Sequence, residues 1–225
     1  EPKETTGLAH YFEHMMFKGT SKIATLDWKK EKMVLDQISD LFEQHRSTTD
    51  TELKKALYHK IDSLSQIAAS YVAPNEYDKL VSSLGAKRTN AGTSYESTVY
   101  INDIPSNEFK KWLKLESERF DNMILRLFHT ELETVYEEFN MYQDRDRSRA
   151  DKAMMEGLFP SHPYGRDVIG LPEHLKNPSM VNIYKFAETW YKPNNMAIAI
   201  AGDIDPEEAI VKIDKYFGDL EPNPD

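Results

Sequence analysis

Residues 10–14 read His-Tyr-Phe-Glu-His, within a stretch that does not suit an ordinary surface helix. At about 100° per residue, His14 lies roughly 40° around from His10, and Glu13 roughly 60° to the other side. Two imidazoles and a carboxylate therefore share about a quarter of the helix circumference. Leu8, Tyr11, Phe12 and Met15 make one apolar face, while Phe17 falls between His10 and Glu13 on the opposite one. A helix apolar on both sides is buried, and buried ionisable groups need partners. The competing reading, two His and a Glu fallen together on a solvated face, conflicts with that burial. Two His one turn apart can hold one metal ion, and a neighbouring carboxylate can take a proton from water. The order inverts the more familiar H-E-x-x-H.

Such a metal needs a third protein ligand. The sequence contains no cysteine, so thiolate sites and disulfides are excluded, leaving His and carboxylates. Residues 130–142 are predicted helical and carry Glu131, Glu133, Glu137 and Glu138 around a stripe of Leu132, Val135, Phe139 and Tyr142. Glu138 and Glu131 fall about 60° and 40° from Val135, both at the edge of that stripe. Glu133 and Glu137 point toward solvent. The remaining histidines show no ligand spacing: His45, His59, His129 and His174 read as surface or partial-core residues, and His162 as part of a turn.

The rest of the chain reads as helices with a few strands. Helices are expected over 6–18 (capped by Thr5 or Thr6, stopped by Gly19), 27–44, 53–71, 76–84, 107–127, 130 to past 142, 179–190 and 206–217. Residues 27–71 have the pattern of an αα-hairpin. Strands are expected over 86–94, 97–103 and 196–201, the last reading Met-Ala-Ile-Ala-Ile-Ala. Residues 144–151 read as a solvated helix extension, Asp203 and Asp205 as a turn and cap, and 221–225 as the start of an interdomain linker. The fold class is α+β, with helices packed on an antiparallel-rich sheet, in one domain over 1–225. A formal charge of −10 argues against a phosphate-tracking nucleic-acid binder. No apolar run approaches the length of a membrane span. A chain opening at Glu1, without an initiator Met or signal-peptide pattern, is expected to be part of something longer.

Residues 7–20, Gly-Leu-Ala-His-Tyr-Phe-Glu-His-Met-Met-Phe-Lys-Gly-Thr, resemble the catalytic start of the pitrilysin/insulinase metallopeptidases, which are inverted zincins. The resemblance continues in order through Thr-Asn-Ala-Gly-Thr-Ser at 89–94 with Thr98 and Tyr100, Glu-Glu-Phe-Asn-Met-Tyr at 137–142, His-Pro-Tyr-Gly at 162–165, and residues 194–203. It implies zinc held by His10, His14 and a downstream Glu that has another Glu seven residues before it, which selects Glu138 as ligand and Glu131 as its outer partner. It also implies Glu13 as general base, and a peptide-accepting strand edge at Asn90 and Ala91. The separation of His14 from Glu138 exceeds the family's usual spacing, which marks 27–71 as an insertion. Strands that the family places before the zinc helix are not in this sequence. Nor is its second homologous half, expected either later in a full-length chain or on a partner subunit.

The expectation is a zinc endopeptidase acting on peptides or unfolded segments. The rivals are a non-catalytic structural homologue and a module that only stores or senses zinc. The first is distinguished by the ligand set, all four required residues being present here, and the second has no need of a carboxylate placed as Glu13 is, nor of a peptide-accepting edge. A periplasmic or cell-envelope setting is expected if the source is bacterial.

Overall fold

The computed structural model describes residues 5–224. The first helix, α1 (Leu8–Met15), occupies the centre, with Leu8, Tyr11, Phe12 and Met15 all buried. Around it lie α2 (Trp28–Ser47), α3 (Thr51–Ala69), α4 (Glu76–Ser83), β1 (Arg88–Thr93) and β2 (Thr98–Asp103). Then come α5 (Phe109–Asp121), α6 (Phe128–Gln143), α7 (Asp146–Leu158), α8 (Pro172–Leu175), α9 (Met180–Trp190) and α10 (Pro206–Phe217). One large core joins α1, α2, α3, α6 and α9 through Tyr11, Phe12, Phe42, Ile61, Phe128, Val135 and Ile183. The α2–α3 pair packs as an antiparallel hairpin and contributes its apolar stripe to this shared core. A separate cluster joins Phe109 and Leu113 of α5 to Ala209 of α10.

The only sheet among the described residues is one antiparallel ribbon, β1 against β2, with Asn90 opposite Ile101 and Ala91 opposite Tyr100. The sheet is thus present but small beside the helices. The strand expected over 196–201 does not form: those residues run without strand pairing, and Ala197, Ile198 and Ala199 are exposed. Apolar alternation alone cannot make a strand where no neighbouring edge supplies hydrogen bonds. In β2 the half-buried face is Thr98, Tyr100 and Asn102, while Val99 and Ile101 stand half-exposed on the other.

Three further expectations are corrected. The helix foreseen over 107–127 stops at Asp121, because Met123 pairs with Thr20 and the Arg126 side chain turns inward. The extension over 144–151 is instead a separate helix, α7, after a break at Asp144 and Arg145. Lastly, α1 has neither Thr5 nor Thr6 as N-cap, and it ends before Gly19. Gly7 takes the N-cap position with φ 84°, and the Thr6 hydroxyl instead bonds His174 Nδ1 at 2.8 Å and receives the Leu171 N–H at 3.0 Å.

That approach to α1 depends on two facing glycines. Gly170 has φ 90°, and a Cβ there would lie 2.6 Å from the Thr6 carbonyl oxygen and 2.8 Å from Cα of Gly7. Gly170→Ala is therefore expected to cost about 2–4 kcal/mol, from the left-handed backbone plus backbone overlap. Gly157, inside α7, has no atom within 4 Å of a built Cβ. Gly157→Ala should instead stabilise by about 0.5–1 kcal/mol through helix propensity. Urea midpoints of the two variants should move in opposite directions.

A candidate metal centre between the first and sixth helices

Two buried contacts set the alignment of α1 and α6. The Tyr11 hydroxyl donates to the Phe128 carbonyl at 2.5 Å, and the Tyr11 and Phe128 rings pack edge to face at 5.1 Å. Val135 and Phe139 then seat in the core, which turns Glu131 and Glu138 toward α1 and leaves Glu137 exposed. A carboxylate oxygen of Glu138 lies 3.6 Å from His10 Nε2 and 3.5 Å from His14 Nε2. The two imidazoles meet edge-on, with centroids 4.8 Å apart. Among the described residues, His10, His14 and Glu138 are the group whose ligand atoms converge, all within 4.8 Å.

This donor set suits zinc. Bonds of about 2.0–2.1 Å at tetrahedral angles separate neighbouring donor atoms by about 3.4 Å, close to the carboxylate–imidazole distances found. Two neutral nitrogens and one carboxylate also leave a fourth position open, as a catalytic site requires.

Behind His14, Glu131 Oε1 sits 2.8 Å from Nδ1, and its other oxygen is 2.5 Å from the Lys18 ammonium. The bond to Nδ1 fixes the tautomer that leaves Nε2 to face Glu138. Burial works to lower the His14 pKa, yet the Glu131 hydrogen bond and the charges of Glu131, Glu138 and Glu13 prevail and raise it. Burial likewise pushes Glu131 up, but His14 and Lys18 together bring it below the usual carboxylate range. An ionised Glu131 can accept from both.

Glu13 is 8% exposed, and its Oε2 accepts a 2.5 Å hydrogen bond from the Thr93 hydroxyl at the end of β1. Asn90 and Ala91 lie on the same strand, Asn90 exposed and Ala91 half-buried. Among the described residues the other edge of β1 carries no strand. Neither residue belongs to the His–Glu cluster; they flank it through Thr93. His162 does form a turn, its Nδ1 accepting the Tyr164 N–H at 3.2 Å, and Asp205 caps α10.

Sequence reasoning missed Thr93, Lys18 and Tyr11. Lys18 is four residues beyond His14, and Thr93 stands in the quoted 89–94 motif, so both were within reach of a closer search. The partnership of Tyr11 with Phe128 leaves no local trace.

Residues 1–52 and 59–171 match the family described as insulinase, peptidase family M16, and residues 181–225 match the M16 inactive domain. The zinc protease PqqE of Helicobacter pylori is 26% identical over 77% of this chain and 40% of its own length. The probable zinc protease PqqL of Escherichia coli is 23% identical over 99% of the chain and 20% of its own length. Among solved structures, a protease from Helicobacter pylori superposes with TM-score 0.66 at 22% identity, covering 100% of this chain and 43% of its own. The periplasmic protease PqqL from Escherichia coli superposes with TM-score 0.70 at 22% identity, over 99% of this chain and 20% of its own. The chain thus spans less than half the length of each of these relatives.

Proposed function

Since the chain belongs to the insulinase family of M16 peptidases, we propose that it carries the zinc site and general base of a metalloendopeptidase. The observation that carries this reading is the convergence of His10, His14 and Glu138, with Glu131 against the back of His14. His10 Nε2, His14 Nε2 and a Glu138 oxygen would hold the ion. Zinc bound there supplies a Lewis acid for the scissile carbonyl and makes water more acidic. The Glu13 carboxylate takes the proton of the attacking water and then delivers one to the leaving amine. Glu131 holds His14 in one tautomer throughout. The free edge of β1, at Asn90 and Ala91, lines up an extended peptide through main-chain hydrogen bonds. The substrate class, peptides or unfolded segments, is the one that membership of the family implies.

The shares of the relatives covered support a second homologous half, in the same chain or on a partner subunit, that closes over the peptide. The hairpin 27–71 is read as an insertion on the long separation of His14 from Glu138, although the family match covers all of it but residues 53–58. A periplasmic or envelope location is supported by one relative described as a periplasmic protease. No helix among the described residues is long and apolar enough to cross a membrane.

Zinc titration of three variants tests the site. Glu138→Gln removes a ligand and should weaken binding by more than about 100-fold, whereas Glu131→Gln, one shell out, should cost about 10–100-fold. Glu137→Gln should leave affinity unchanged, because that side chain is exposed and its bond is to Asn140. Equal losses at Glu137 and Glu138 would refute the assignment. Tight zinc binding without any peptide cleavage by the intact protein would instead favour the non-catalytic homologue.

A further inference from the structure

The Thr93 hydroxyl that meets Glu13 is the end of a longer run. Thr93 Oγ1 lies 3.2 Å from Thr98 Oγ1 across the ribbon. Tyr100, two residues along β2 from Thr98, puts its own hydroxyl 2.9 Å from that of Tyr191. Each hydroxyl has one proton to donate, and a carboxylate can only accept. With Glu13 ionised, Thr93 must donate to it, so Thr98 donates to Thr93. Both protons point the same way, toward Glu13, an order in which successive hydrogen bonds strengthen one another.

Tyr100, on the same half-buried face of β2 as Thr98, is held firmly. Tyr100 lies under the buried Arg119 guanidinium, 4.9 Å from its ring centroid, and meets Phe120 edge-on at 5.5 Å. Tyr191 packs on Phe12 of α1, with centroids 4.4 Å apart. Burial raises the pKa of both phenols, so each remains a neutral donor. The run draws on both strands, and it converges on a side chain of α1.

We propose that the hydroxyls of Thr98 and Thr93 form a polarised positioning chain that holds the Glu13 carboxylate in its working orientation, with Tyr100 anchoring the strand behind them. The inference rests on reading Glu13 as the general base. Because Thr93 belongs to the same strand as Asn90 and Ala91, a peptide seated along β1 also steadies the group that holds the base.

The test compares Thr93→Val, Thr93→Ser, Thr98→Val and Glu13→Gln in the intact protein, on one unstructured peptide. Thr93→Val keeps the shape and removes the donor; kcat should fall about 10-fold, the loss of one charge-assisted hydrogen bond. KM and zinc affinity should stay at parent values, and a crystal structure of the variant should show the Glu13 carboxylate displaced. Thr93→Ser should restore kcat, and Thr98→Val, one link away, should lower it by a smaller factor. Parental kcat in Thr93→Val overturns the chain, as does failure of Ser to restore it or a parallel loss of zinc. Glu13→Gln separates the two levels: an inactive Glu13→Gln beside a normal Thr93→Val sinks only the hydroxyl chain. A fully active Glu13→Gln sinks the general-base reading itself.

Discussion

Glu13→Gln is expected to lower kcat/KM for peptide cleavage by about 10²–10⁴-fold, the usual contribution of a positioned general base, while zinc affinity stays within a small factor. The amide has the shape of the carboxylate and can still meet the Thr93 hydroxyl, so local packing is preserved. What it lacks is a basic oxygen to receive a proton. Glu13 is also outside the convergent group of His10, His14 and Glu138, which is why metal content should separate from turnover. The measurement is metal analysis alongside kcat and KM on an unstructured peptide. Loss of zinc together with activity would show that Glu13 serves the metal rather than the proton.

The largest effect on stability is expected at Arg126, which lies some distance from the chemistry. Its side chain is 0% exposed, as is that of Glu31, its carboxylate partner on α2. The guanidinium has five N–H groups. Nε bonds Glu31; Nη1 bonds the carbonyls of Lys18 and Ile23 at 2.8 and 2.9 Å; Nη2 bonds the Thr20 carbonyl and Glu31, each at 3.0 Å. One side chain thus joins the loop after α1, the hairpin and the segment between α5 and α6. Arg126→Met would leave a buried carboxylate without its countercharge and the Lys18 and Thr20 carbonyls without a donor, while the Ile23 carbonyl keeps the Thr20 N–H. The expected cost is about 3–5 kcal/mol, a large share of the roughly 5–15 kcal/mol that holds a domain folded. Arg126→Met combined with Glu31→Leu removes both charges and should recover much of the loss. The urea midpoint, followed by tryptophan fluorescence, gives both values. Near-additive losses in the double variant would show that the two side chains act independently.

Lys18 belongs to the loop that Arg126 grips, and Lys18 is the cation beside Glu131. The hairpin and the candidate metal centre are therefore linked through one buried ion pair. Residues 27–71 are tied into the shared core through Phe42 and Ile61 rather than appended to it.

Much of this organisation was legible in the sequence. Most helices appear within a few residues of their expected bounds, because apolar spacing and caps such as Asp27, Asp50, Ser179 and Asp205 are local properties. The same holds for the candidate ligands. Spacing on one helix places His10 and His14 together, and the stripe on the other places Glu138 and Glu131 on a single edge. Both follow from helical period and burial, which require no knowledge of the neighbour.

What the tertiary structure decided is everything that depends on a partner distant in the chain. The apolar run at 196–201 has the pattern of a strand and no edge to pair with, so it is not one among the described residues. The helix expected through residue 127 ends early because Met123 and Arg126 find partners around residues 18–31. Alternation in β2 is equally compatible with either face turned inward. The side that carries Thr98 and Tyr100 turns in because Tyr191, Arg119 and Thr93 wait there with hydrogen bonds and ring contacts. Periodicity reports how often a side chain faces a given side. Which group stands opposite is set only once distant segments pack together, and that choice brings Thr93 to Glu13.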